Sequence, residues 1–187
     1  MARRFIALAA LALGLAAPVA AHAQSPFKLG LTLGPTFPTG DLSDTQEWGY
    51  HVGGFIAGRP MMSPLGLRAE VMYHSLTGKN VDTPLGSFDY DDASLLAGIV
   101  NVEVGMSGMG LTPYFVGGVG YYSFDSGGEN SDREGNFGLN GGLGINFGLA
   151  GFSAFAEARY HKIFVDEDAS GNSPNVALIP ISFGVRF

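Results

Sequence analysis

The side chains best equipped for chemistry in this sequence are three histidines, His51, His74 and His161, and four charges, Arg68, Glu70, Glu157 and Arg159. In an extended chain Ser153, Glu157 and His161 would share one face and supply a nucleophile, an acid and a base. Four residues along a strand cover roughly 13 Å, however, which is too far for a nucleophile–base hydrogen bond. No His-x-x-x-His pair offers metal-ligand spacing. There is no cysteine, which excludes disulfides, thiol catalysis and a lipid-modified N-terminal cysteine. Glycine runs such as Gly141-Gly142-Leu143-Gly144 do not open a helix, so they read as close packing rather than as a phosphate loop. The reading is therefore of no enzyme: no catalytic residue, no cofactor and no resident metal. A formal net charge of −7 argues against nucleic acid as a partner.

The four charges need elements to hold them, and the hydrophobic pattern supplies these. In the last twelve residues every second position from Phe187 back is apolar: Phe187, Val185, Phe183, Ile181, Ile179 and Ala177. Side chains alternate across a strand, so this is a strand with one apolar face. The pattern recurs over 27–37, 49–58, 65–75, 92–104, 111–122, 136–147 and 152–164, giving eight strands with 176–187. The clearest is 136–147. There Phe137, Leu139, Gly141, Leu143, Ile145 and Phe147 lie on one face, against Asn136, Gly138, Asn140, Gly142, Gly144 and Asn146 on the other. The connections alternate long and short, and the long ones are 39–48, 77–91, 123–135 and 165–175.

Charged residues are only 14% of the chain, below the roughly 25% of soluble domains, while glycine reaches 29 residues and aromatics 12%. No apolar run after the first twenty-odd residues is long enough for a membrane helix. The polar faces hold mostly Gly, Asn, Ser and Thr, which suit the inside of a narrow barrel. The apolar faces end in aromatics. Phe27, Phe147, Phe152 and Phe187 would ring one edge, and Phe37, Tyr50, Tyr73, Tyr121, Phe137 and Tyr160 the other. Paired aromatic girdles are what bilayer interfaces select. The expected fold is all-β, an eight-stranded antiparallel up-and-down transmembrane β-barrel with short periplasmic turns and long external loops.

Residues 1–23 read as a cleaved signal peptide: Arg3 and Arg4, an apolar stretch from Phe5 to Ala17, then Ala21-His22-Ala23 before Gln24. The barrel domain would be 24–187. Within it Arg68, Glu70, Glu157 and Arg159 face inward from strands on opposite walls, so an ionic cluster plugging the lumen is expected. The four long loops with their edges carry 14 of the 17 acidic residues and only Lys79 and Arg133 as bases. The densest runs, Asp89-Tyr90-Asp91-Asp92 and Asp166-Glu167-Asp168, make divalent cations candidate partners there.

The segments Leu67-Arg-Ala-Glu-Val-Met-Tyr73, Pro113-Tyr-Phe-Val-Gly-Gly-Val-Gly-Tyr121 and Phe155-Ala-Glu-Ala-Arg-Tyr160, with the terminal Phe187, resemble the OmpA/OmpX-like outer membrane β-barrel domain family. The resemblance covers 24–187. It implies localisation in the cell outer membrane, contact with membrane lipid and lipopolysaccharide, and a structural or surface-interaction role. Phe183, Val185 and Phe187 would then be a C-terminal assembly signal read by the barrel-assembly machinery. A monomer without the periplasmic peptidoglycan-binding domain is expected. The competing readings are a narrow porin-like channel for small solutes and a membrane-embedded lipid-modifying enzyme. The His-x-Ser element of the lipid A deacylase barrels does not occur.

Overall fold

The computed structural model describes residues 27–60, 63–83, 86–105, 110–125, 134–148, 151–165 and 174–187. The expected signal segment, 1–23, and the Asp166-Glu167-Asp168 run lie outside them. Eight strands close into an antiparallel barrel. They are β1 (Phe27–Gly40), β2 (Gln46–Gly58), β3 (Leu65–Gly78), β6 (Ala93–Gly105), β7 (Gly110–Asp125), β8 (Glu134–Gly148), β9 (Ser153–Phe164) and β10 (Asn175–Arg186). Each pairs with its neighbour in sequence, except that β3 meets β6 across an inserted hairpin. That hairpin is β4 (Asn80–Thr83) with β5 (Gly86–Asp89), a separate two-stranded sheet. The barrel closes by pairing β1 with β10, where Leu29 and Phe187 exchange backbone hydrogen bonds of 2.9 and 3.0 Å.

The alternation sets the two faces. Outward side chains are exposed along every barrel strand, from Leu65, Leu67, Val71 and Tyr73 on β3 to Phe137, Leu139, Leu143, Ile145 and Phe147 on β8. Inward ones are buried, as in the strict alternation of exposed and buried residues from Leu65 to His74 on β3. Phe27, Phe147 and Phe152 are exposed at the tight-turn end. Phe37, Tyr50, Tyr73, Tyr121, Phe137 and Tyr160 are exposed at the long-loop end, where the Tyr121 and Phe137 rings meet edge-on at 5.3 Å.

Inward glycines make room for large inward side chains on the facing strand. Gly30 lies opposite Phe55, Gly184 opposite Phe155, Gly144 opposite Tyr114 and Gly142 opposite Arg159. A Cβ on any of these glycines would run into that neighbour. The glycine content of the chain is therefore partly a requirement of shape: a narrow barrel can hold bulky residues only where the opposite position is empty.

The structure corrects two expected loops. Residues 39–48 are not a long loop: β1 runs through Gly40 and β2 begins at Gln46, with only a helical turn, α1 (Leu42–Thr45), between them. Gly40 adopts a φ of 67°, the Ser43 hydroxyl donates to its carbonyl at 2.6 Å, and Leu42 turns into the barrel mouth. The apolar Leu42 has a core to join, and this tightens the connection. Residues 77–91 also carry structure, since β3 extends to Gly78 and β4–β5 follow. The strands reach 12 to 16 residues rather than about ten.

Candidate functional site

The inside of the barrel is built in layers. Nearest the tight-turn end, Arg186 of β10 donates to Glu103 of β6 through Nη2 and Nη1, at 2.7 and 2.9 Å. Its guanidinium also lies 5.1 to 5.5 Å from the Phe155, Phe55 and Tyr114 ring centroids. Delocalised charge over aromatic faces is a stable arrangement where water is scarce.

Above this layer sit the four charges expected from the sequence. Arg68 of β3 donates to Glu157 of β9 through both terminal nitrogens, at 2.8 and 3.1 Å. In the closed order β3 and β9 are four strands apart either way round, so this bidentate pair spans the lumen. Arg68 Nη1 also lies 3.1 Å from Glu103, and its Nε lies 3.3 Å from Glu70 in a charge contact not aligned as a hydrogen bond. Arg159 returns across the lumen to Glu70 and sits 2.9 Å from Glu157 on its own strand. The Tyr114 hydroxyl donates to Glu157 at 2.6 Å and Asn101 donates to Glu70 at 3.1 Å. The Arg68, Glu70, Glu157 and Arg159 side chains are each 1% exposed. Charges this deep must be paired, and each carboxylate meets at least two cationic or neutral donors.

Glu103, Arg186, Asn101 and Tyr114 were not expected in this cluster. Their inward parity was legible, since Glu103 shares a face with Asn101 and Arg186 lies opposite the Phe187 face. Which inward residues meet across a lumen depends on strand tilt and stagger, and alternation does not carry that information.

The third layer is histidine. Thr36 Oγ1 lies 3.0 Å from Nδ1 of both His51 and His74, and Ser182 Oγ lies 2.9 Å from His51 Nε2. A hydroxyl has one proton, so Thr36 donates to one ring and accepts from the other. The Tyr122 hydroxyl lies 2.9 Å from His161 Nδ1. Ring centroids are 5.4 Å apart for His51–His74 and 6.3 Å for His74–His161. All three imidazoles are buried. The suspected Ser153–Glu157–His161 set does not form, because Glu157 belongs to the ionic layer and His161 to Tyr122. Ser182 and His51 do stand at nucleophile–base distance, a contact between distant strands that sequence spacing cannot show. Both are buried in the barrel interior, between the ionic layer and an apolar cap.

The cap consists of Leu42, Leu76, Leu95, Ile163 and Leu178 with the Tyr122 ring. Above it, at the long-loop end, lies an apolar cavity of about 200 Å³ bounded by Leu42, Phe124, Val165 and Val176 among others. At the rim Asp41 accepts the Asn175 backbone N–H at 2.7 Å and Asp92 accepts that of Gly78 at 3.0 Å. Asp89, Asp91 and Asp92 are exposed. Among the described residues no three His, Cys, Asp or Glu side chains converge as a metal site.

A closed antiparallel barrel with an apolar exterior, two aromatic rings and a polar interior has the physical signature of a membrane-spanning barrel. The family description "outer membrane protein beta-barrel domain" matches residues 6–187. The chain belongs to this family. It is thus an outer membrane β-barrel protein, and its exposed apolar faces are lipid-facing. Among solved structures it is similar to neisserial surface protein A. The two are 16% identical over 87% of this chain and 96% of that one, with a TM-score of 0.65. It is also similar to a major outer membrane protein of Thermus thermophilus, at 16% identity over 87% and 100% of the two chains, with a TM-score of 0.50. At such identities the likeness is one of fold. No curated protein matches the sequence.

Proposed function

We propose that this outer membrane barrel is closed, and that its role is structural or surface-interacting rather than conductive or catalytic. The observation that carries this is the bidentate Arg68–Glu157 pair, fully buried and spanning the lumen from opposite walls. Eight strands leave an interior just wide enough for side chains, and here charged groups, histidines and an apolar cap occupy successive levels of it. A narrow channel would need a continuous wet path past those levels. A lipid-modifying enzyme would need its reactive groups open to the membrane, whereas Ser182 and His51 are enclosed.

The surface left for partners is the long-loop end, which we read as external. Its acidic residues give it a strongly negative field, suited to solvation and to steering of cationic partners. Divalent cations are not needed for this reading. In the same proposal residues 1–23 are removed on export, the barrel inserts as a monomer, and Phe183, Val185 and Phe187 present the final strand to the assembly machinery. Phe183 and Val185 face outward, where such a partner could read them.

Single-channel recording of the purified protein in planar bilayers near neutral pH tests the proposal. A silent bilayer containing inserted, heat-modifiable protein is expected. Steady ohmic steps would favour the channel reading.

A further inference from the structure

Stable packing does not require three imidazoles in the middle of a barrel, and the histidine layer has no part in the ionic plug. His51, His74 and His161 come from three different strands, yet the His74 ring lies 5.4 Å from that of His51 and 6.3 Å from that of His161. Their hydrogen-bond partners are the neutral hydroxyls of Thr36, Ser182 and Tyr122. No carboxylate is hydrogen-bonded to any of the three rings among the described residues.

The charges that act on this layer come from two walls. From β9, Arg159 acts on all three rings and Glu157 on His51; from β3, Arg68 acts on His161. Glu70 of β3 is the other nearby acid, and β7 contributes the titratable Tyr122. The remaining walls contribute Thr36 of β1, Leu95 of β6 opposite His74, Asn140 of β8 opposite His161, and Ser182 of β10, none of them ionisable. Below, three buried arginines, Arg68, Arg159 and Arg186, are matched by three glutamates, Glu70, Glu103 and Glu157, and the more exposed Arg59 adds a contact of 3.8 Å to Glu103 from the tight-turn end. The interior therefore holds no buried carboxylate in excess of the buried arginines, and neutral imidazoles keep that match.

We propose that the histidine layer is an acid-operated latch on the barrel interior. Each proton taken up adds a positive charge beside Arg159 and beside a second imidazole, with no free carboxylate to receive it. The added charge is relieved in one of two ways. Glu157 and Glu70 leave their arginines, or water and counter-anions enter the lumen; both open what neutral pH keeps shut. This rests on the barrel being closed at neutral pH, as proposed above.

The test is conductance of the full mature protein in planar bilayers at about pH 7.5 and about pH 3, the lower value taken well below the unperturbed imidazole range. It is run on the wild type and on the triple variant His51→Gln, His74→Gln, His161→Gln. The wild type is expected to be silent at the higher pH. At the lower pH it should show anion-selective openings, with mean current raised on the order of tenfold or more, while the variant stays silent. A wild type closed at both values overturns the latch and leaves the closed-barrel reading standing. A wild type open at both overturns the closed-barrel reading and the latch with it. An equal acid response in the variant overturns the latch, because carboxylates would then be responsible. If the variant does not insert, nitrogen-15 NMR of the wild-type imidazoles decides. Rings that titrate over the interval in which current rises support the latch; rings that stay neutral until the barrel unfolds overturn it.

Discussion

Arg68 is in ionic contact with all three interior glutamates, Glu70, Glu103 and Glu157. Removing one member of such a set leaves a buried charge without its match. Glu157→Gln is expected to cost about 3 kcal/mol of unfolding free energy, measured by urea titration of the lipid-embedded barrel. A loss below about 1 kcal/mol would mean that lumen water already carries the charges. The inward glycines are as specific as the charges. Gly144→Val would drive a side chain into the Tyr114 ring and disturb its bond to Glu157, so the yield of heat-modifiable barrel should fall sharply. A normal yield would show that the interior is looser than its geometry. Much of this was legible by parity: the inward positions of Arg68, Glu70, Glu157, Arg159 and the three histidines follow from alternation alone. The partnerships did not follow. Glu103 with Arg186 joins strands far apart in sequence, and Thr36 brings together histidines of two successive strands; strand stagger decides those meetings.

At the scale of elements, eight strands and their outward faces were readable because lipid and lumen impose opposite demands on successive residues. Their ends were not readable. Polar residues at a strand end look like loop, yet β7 continues to Asp125 and β1 to Gly40, because backbone pairing persists after the lipid-facing alternation has stopped. The β4–β5 ribbon was missed for the same reason: four-residue strands give alternation too little length to show. The closing seam carries its own prediction. The Phe187 backbone exchanges two hydrogen bonds with Leu29, and Phe187 lines an apolar hollow with Leu29 and Leu31 of β1 and Ile56 of β2. Deleting Phe187 should lower insertion into the outer membrane while export to the periplasm continues, as read by fractionation and heat-modifiability. Undiminished insertion would remove the assembly role proposed for Phe183, Val185 and Phe187.

Across the whole molecule the acidic residues fall into two populations. Fourteen lie in or beside the four connections 39–48, 77–91, 123–135 and 165–175, and the other three of the 17 are Glu70, Glu103 and Glu157 inside the barrel. One population gives the exposed end its charge, and the other closes the lumen against three arginines. Closure by ion pairs that cross from wall to wall is the central claim. The measurement that bears on it most directly is a double-mutant cycle in unfolding free energy between Arg68→Met and Glu157→Gln. Each single change leaves the interior charges unequal, whereas the double change leaves two arginines facing two glutamates. A favourable coupling of about 1.5 kcal/mol or more is expected, with the double variant clearly less destabilised than the two single losses combined. Additive losses, with coupling near zero, would contradict a lumen held shut by the Arg68–Glu157 pair.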